Sequence, residues 1–392
     1  MIVKRGGSWL LYKLSMADSL VGSGVMVDKT TGPHILHRAV LKSVQLDFYK
    51  ELRTSFSGKK TSLPFIINSL PSTPQVSENE TFQVMVIGGS VFKKAIGKKG
   101  KTRISFSKKE QEELPVMRTK ENFISLVERN LDPHTSVVAL NFAYPLSPVN
   151  DRGKLDGVLI SGTKEHAFEG LVGECVGQQL EEYFYKKYKR KILFTVANDT
   201  VCLLLSGLSN ASWEKLACGI VGTGVNFAYF LGPREIVNLE SANFDKFPIS
   251  PEALEVDLNS TKMGKALFEK ETAGSYLYQH FNSMLVKQRL PHPKITSTWE
   301  LKKLALLDIP LVSSIARDLI RKSAGLIAAQ IAGIVLFKKR DMTFVMEGSF
   351  FWEEDIYREY VEHFLRILVP DRKATFVHVA DSPFAGAAKL VG

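Results

Sequence analysis

Apolar residues recur along this chain at two spacings, and the alternation between them divides it into strands and helices. Phe82 to Ile87 (FQVMVI) and Val137 to Tyr144 (VVALNFAY) are nearly unbroken apolar runs, the pattern of strands covered on both faces. The first ends in Gly88-Gly89-Ser90, and a shorter run, Ile104 to Ser107 (ISFS), follows a basic turn, so the two read as a hairpin. Glu121 to Asn130 and a segment from about Val172 to Tyr188 carry apolar residues at helical spacing. The second leads into a strand, Ile192 to Ala197 (ILFTVA), that stops at Asn198-Asp199.

The pattern then restarts. Cys218 to Gly232 (CGIVGTGVNFAYFLG) reads as a strand, a Gly-Thr-Gly turn and a second strand, echoing the earlier strand and glycine turn. After Met263 the chain becomes largely helical, and a last α/β section carries TFVMEGS, a helix beginning near Trp352, ATFVHVAD and the end segment SPFAGAAKLVG. Strands alternating with helices predict an α/β protein with mixed sheets covered on their faces. The longest apolar run, Leu326 to Phe337, is interrupted by Gln330 and falls short of the roughly 18 to 20 residues needed to cross a bilayer, so it reads as a buried helix.

Length and composition sharpen this picture. At 392 residues the chain exceeds what one core of ordinary size holds, and its 45% hydrophobic and 23% charged content is that of a soluble protein. Two lobes in one body are expected, since no Ser-rich or Pro-rich linker separates them: 1–69 as the N-terminal helical part of the large lobe, 70–200 as the small lobe and 201–392 as the rest of the large lobe. Cys175, Cys202 and Cys218 form no C-x-x-C pair, and an odd total argues against a disulfide framework. Lys13 splits the apolar patch of the opening segment. A reducing, cytoplasmic setting is expected, with no membrane span.

The formal charge of +10 asks for an anionic partner. Much of the excess sits in Lys93 to Arg103 and Lys186 to Lys191, beside strand-like segments and without interleaved stacking aromatics, so nucleic acid is not expected. There is no G-K-[ST] at Walker spacing, no G-x-G-x-x-G opening a helix and no Gly-x-Ser-x-Gly elbow. His34 and His37 stand close together without a Cys or carboxylate cluster of zinc type, and read as helix-surface or capping residues.

Three places carry chemistry. A carboxylate at the C-terminal end of a strand, as Asp199 is, points into the crevice where α/β folds bind ligands and can accept a hydroxyl proton, although Asn-Asp before Thr also fits a turn or a helix N-cap. Gly88-Gly89-Ser90 and Gly222-Thr223-Gly224 can bring backbone N–H groups onto a phosphate, and each alone is equally a tight hairpin.

The order of these features is more specific than any one of them. Gly-Gly-Ser, Phe-Ala-Tyr-Pro, Thr163-Lys164, Asn198-Asp199-Thr200 and Gly222-Thr223-Gly224-Val225-Asn226 resemble the hexokinase family in its order and approximate spacing. The resemblance begins with Tyr49 to Ile66 and continues through FEKETAGSYL, RKSAGLIAAQIAG, VMEGSFF and AGAA, covering about residues 40 to 390. It implies the two-lobed actin-like ATPase fold, of ribonuclease H-like type, with a cleft between the lobes. It further implies a hexose, glucose foremost, held by Thr163, Lys164, Asn198, Asp199, Asn226, Glu240 and Glu269. Asp199 would be the general base for the sugar's 6-hydroxyl and Lys164 a cation near the developing charge. ATP would lie against Gly88, Gly89, Ser90, Gly222, Thr223 and Gly224, with Mg²⁺ bridging its phosphates and Ser349 and Gly386 near the adenosine.

The chain also departs from that family. Its first phosphate loop has an aspartate immediately before the residue preceding the two glycines, then Thr-Asn and a basic residue; here those places hold Val86, Ser90 and Val91, with Lys93 nearby. The serine of Phe-Ser-Phe-Pro is Ala143, and the Trp-Gly after the sugar-binding glutamate is Ser241-Ala242. Two expectations follow: an ATP:hexose 6-phosphotransferase acting in glycolysis, or a sugar-binding regulatory pseudokinase weakened by Val86 and Val91. The sequence leaves the preferred hexose, the phosphoryl donor and the oligomeric state open.

Overall fold

The computed structural model describes residues 36–392 except 152, 164, 165 and 354. Its strands in chain order are β1 (Ile66–Ser69), β2 (Thr81–Ile87), β3 (Val91–Lys99), β4 (Ile104–Glu113), β5 (Val137–Phe142), β6 (Leu146–Asp151) and β7 (Lys154–Leu159). They continue with β8 (Leu193–Asn198), β9 (Leu216–Val221), β10 (Val225–Gly232), β11 (Glu235–Asn238), β12 (Met342–Glu347) and β13 (Ala374–Val377). One sheet has the order β4-β3-β2-β5-β8 and another the order β1-β11-β10-β9-β12-β13, while β6 and β7 form a separate hairpin. Both large sheets are mixed, with β2, β5 and β8 parallel in the first and β9, β12 and β13 parallel in the second. This is the two-lobed α/β arrangement that the alternating pattern predicts.

Strand β2 explains why an unbroken apolar run belongs at the middle of a sheet. Phe82, Val84 and Val86 face one apolar cluster and Met85 and Ile87 face another, so neither face is left for water. The hairpin expected from the sequence is corrected here. The basic segment is not a turn but β3 itself, antiparallel to both β2 and β4, and the turn before β4 is closed by the Gly100 N–H bonding to the Arg103 carbonyl. Phe92, Ala95 and Gly97 are buried along it, interspersed with two pairs of lysines, and the register to β4 slips between Lys94 and Ile96, so no simple alternation marks the strand in the sequence.

The helix Val312–Lys338 is long and apolar enough to cross a membrane by length and composition, yet 89% of its apolar window lies inside the protein. It packs in the large core with Leu41, Val44 and Phe48 of the helix Arg38–Phe56, in keeping with the buried helix expected at Leu326 to Phe337. His37 sits at the N-cap of Arg38–Phe56 without a side-chain capping bond, and His34 lies outside the described residues. At the other end, the Gly-Ala-Ala segment belongs to a helix, Ser382–Ala388, whose Phe384, Ala387 and Ala388 join Val84 and Val86 of β2 and Val201 and Cys202 of the helix Asp199–Ser206 in one apolar cluster. The chain's last described helix thus ties the five-stranded sheet to the helix that starts at Asp199.

Candidate active site

Asn198 is both a strand end and a helix cap. It closes β8, and its Oδ1 accepts the Thr200 N–H at 3.0 Å as N-cap of Asp199–Ser206. The two meanings left open by the sequence therefore coincide, because capping fixes the place where Asp199 leaves the strand. Asp199 Oδ1 accepts from Thr200 N–H at 2.7 Å and the Thr200 hydroxyl at 3.2 Å. Burial pushes its carboxyl up to about 6 against those bonds, and the carboxylates of Glu240 and Glu347 push it the same way.

From the six-stranded sheet come Asn226 on β10 and Asn238, the last residue of β11, followed by Glu240. Asn226 Nδ2 donates to Thr200 Oγ1 at 3.0 Å, Asn238 Oδ1 at 2.8 Å and Glu240 Oε1 at 3.3 Å. Its Oδ1 accepts from the N–H groups of Phe227 and Ser241. Glu240 adopts a left-handed backbone, φ 49°, at the cap of a short 3-10 turn. Burial raises its carboxyl, opposed by the amides of Asn238 and Asn226.

Glu269 stands on the short helix Leu267–Thr272, whose neighbouring residues are anchored on two sides. Lys270 meets Asp257 at 2.6 Å and Glu271 meets Lys322 at 2.6 Å, each pair buried. Glu269 Oε2 accepts the Val225 N–H at 3.1 Å, so the carboxylate rests on the second glycine turn. Burial raises its carboxyl as well, and Glu240 adds to the rise.

That turn joins β9 to β10 as a tight hairpin, closed by the Gly222 N–H on the Gly224 carbonyl at 3.0 Å. Thr223 is exposed at its tip. The first turn is built alike, with the Gly88 N–H on the Val91 carbonyl at 3.0 Å and Gly89 and Ser90 exposed. No described group accepts from the N–H of Gly89, Ser90, Thr223 or Gly224. Both turns are hairpins that also offer two uncommitted donors, which is the chemistry an anionic oxygen needs.

Other expected residues are placed differently. Val86 is 7% exposed and packs in the cluster of Phe82, Val84 and Phe384. In register it lies between Lys93 of β3 and Asn141 of β5. Thr163 is exposed after β7, and its hydroxyl oxygen accepts the His166 N–H at 3.1 Å, with no described bond to the Asn198 group. Lys164 lies outside the described residues. Ser349 is exposed at the start of the short helix Ser349–Trp352. Gly386 is buried, and a Cβ there would lie 1.7 Å from the Cys202 carbonyl oxygen, so close helix packing accounts for this glycine.

Two residues that the sequence reading did not single out belong to the group. Asn238 bonds to Asn198, Asn226 and Glu240, and Glu347, the last residue of β12, stands close enough to raise Asp199. The signal that marks Asp199, a polar side chain where an apolar strand ends, marks both.

Among the described residues, Asp199 Oδ2, Glu240 Oε2 and Glu269 Oε1 accept no hydrogen bond. Three uncommitted carboxylate oxygens suit a ligand rich in hydroxyl donors. Two family models described as hexokinase match the chain, at residues 26–208 and 288–392, together more than half of it. A hexokinase of Emericella nidulans is 27% identical over 319 residues, 71% of this chain, and the match takes in 64% of that relative's own length, less than two thirds. A solved hexokinase structure superposes with a TM-score of 0.74 at 20% identity, covering 92% of this chain and 97% of its own. A hexokinase from Schistosoma mansoni, solved in complex with glucose, gives a TM-score of 0.72 at 18% identity over 92% of this chain and 96% of its own.

Proposed function

The chain belongs to the hexokinase family, and we propose that it transfers the γ-phosphoryl group of ATP to the 6-hydroxyl of a hexose such as glucose. The observation that carries this is the set of free oxygens on Asp199, whose other oxygen is held by Thr200 after β8, and on Glu240 and Glu269, whose other oxygens are held by Asn226, Asn238 and the Val225 N–H of the six-stranded sheet. A polyol donates to such oxygens, and a ligand lacking one hydroxyl leaves a buried acceptor unpaired.

In this proposal Asp199 is the general base. A carboxyl raised to about 6 is ionised at neutral pH yet basic enough to take a hydroxyl proton in the transition state. Glu240, Glu269 and Asn198 orient the sugar, Asn226 joins them by exchanging one of its present bonds, Thr163 is a further sugar ligand, and Lys164 supplies a cation near the developing charge. The lobes, 70–200 and 201–392, would shut on the ligand.

The nucleotide fits the glycine turns, whose free N–H groups at Gly89, Ser90, Thr223 and Gly224 can take phosphate oxygens. ATP supplies the transferred phosphoryl group. Magnesium has no protein cage here: among the described residues no three His, Cys, Asp or Glu side chains are grouped to hold a metal, and Val86 is apolar. The ion is therefore left to the phosphates and water.

Val86 and Val91 favour a second reading, a sugar-binding pseudokinase with slow or no turnover. A coupled assay of hexose-dependent ADP formation separates the two. Turnover supports the kinase; tight hexose binding without turnover at high enzyme concentration supports the pseudokinase.

A further inference from the structure

Asn238 has no hydrogen-bonding capacity left for a ligand. Its Nδ2 donates to Asn198 Oδ1 at 3.3 Å and to Glu240 Oε1 at 2.8 Å, using both protons. Its Oδ1 accepts from Asn226 Nδ2 at 2.8 Å and from the Glu240 N–H at 3.4 Å, using both lone pairs. The side chain is 3% exposed. Of its three partners, Asn198 ends a strand of the five-stranded sheet, while Asn226 and Glu240 belong to the six-stranded sheet or the loop that leaves it.

We propose that Asn238 is the positioning residue that locks Asn198, Asn226 and Glu240 into one hexose-binding group across the two sheets. The inference rests on the hexose-binding reading of that group. It assigns Asn238 no contact with the sugar. A planar amide is required because donors and acceptors are needed on opposite sides at once, and neither a carboxylate nor a hydroxyl supplies two of each in that geometry. The donor to Glu240 also opposes the burial that raises the Glu240 carboxyl. The other charged groups around Glu240 are the carboxylates of Asp199 and Glu269, so no described cation substitutes for the lost amide.

The test measures equilibrium hexose binding from pH 5 to 8, nucleotide KM and melting temperature for wild type, Asn238→Ala and the isosteric Asn238→Asp. The expected result is a hexose Kd weakened about tenfold or more at pH 7.5 in both variants, with nucleotide KM within about twofold. In Asn238→Ala the loss of binding at low pH should also begin at a higher pH than in wild type. An unchanged Kd and pH profile in either folded variant overturns the proposal. Hexose Kd and nucleotide KM rising together with a lowered melting temperature overturn it in favour of a merely structural role. If Asn238→Ala does not fold, Asn238→Asp decides the question by the same binding and nucleotide measurements. A wild-type chain that binds no hexose overturns the underlying reading and this inference together, an outcome distinct from the other two.

Discussion

The Glu269 carboxylate and the backbone of Gly224 occupy adjoining space: a Cβ on Gly224 would stand 2.8 Å from Glu269 Oε2. Since the same oxygen accepts the Val225 N–H, a methyl group at 224 must drive the carboxylate off that donor. Gly224→Ala is expected to weaken hexose binding about tenfold, the worth of one hydrogen bond to a charged group, while the fold survives because only a side-chain end has to move. Titration calorimetry beside a melting curve checks it; unchanged affinity contradicts the contact.

Asp199→Asn should lower kcat by about 10² to 10⁴-fold while hexose still binds, though more weakly, as removal of a general base does. In wild type, kcat/KM for the hexose should fall as pH drops through about 6, where Asp199 of the unliganded protein protonates.

The same residue gives a stability prediction of opposite sense. The folded carboxyl lies at about 6, above its ordinary 3.8, so the native state binds the proton more tightly than the unfolded chain. Its contribution to stability is greatest below pH 3.8, falls as pH rises through about 6, and stays lost above that. Asn avoids the cost, and at pH 7.5 Asp199→Asn should be more stable by about 1–3 kcal/mol in urea unfolding. Equal or lower stability would show that the carboxylate is better satisfied than its burial suggests.

Val86→Asp places a carboxylate in an apolar cluster and should cost about 2–4 kcal/mol. Lys93 is its cross-strand neighbour, with no carboxylate at ion-pair distance among the described residues, and is positioned to offset part of that. A double-mutant cycle with Lys93→Ala measures the coupling, and the pair should cost more than the sum of the single changes. A stable Val86→Asp chain with stronger magnesium dependence would instead place residue 86 against the nucleotide.

How much of this was legible in the sequence depended on whether one residue type had one meaning. Apolar runs such as FQVMVI and VVALNFAY gave their strands directly, since strands covered on both faces leave no polar alternation to misread. Strand β3 was hidden because lysines on a covered strand and lysines in a turn look alike until Phe92 and Ala95 are seen to be buried. Asn198 and Asp199 stand out as polar residues at a strand end, Asn226, Glu240 and Glu269 come through the family resemblance, and the structure brings the five together. Asn238 also ends an apolar strand, but it touches only protein groups, and its place at the end of EIVN does not show which groups it joins. A glycine expected near the adenosine, as Gly386 is, and a helix-packing glycine are identical in sequence; the Cys202 carbonyl in its Cβ space shows the packing use.

Gly386→Ala and Gly89→Ala separate those two uses. A Cβ at 386 meets backbone 1.7 Å away and should cost several degrees of melting temperature or prevent folding, whereas at 89 nothing lies within 4 Å and the fold should be unaffected. Tolerance of Gly386→Ala would contradict the packing of Ser382–Ala388 on Asp199–Ser206.

The most direct test of the proposed phosphotransferase is ADP released by the purified chain in saturating Mg·ATP, with and without glucose, at pH 7.5. The account predicts release that depends on glucose and disappears in Asp199→Asn. No glucose-dependent release at high enzyme concentration, from a chain that binds glucose in a separate measurement, would contradict it.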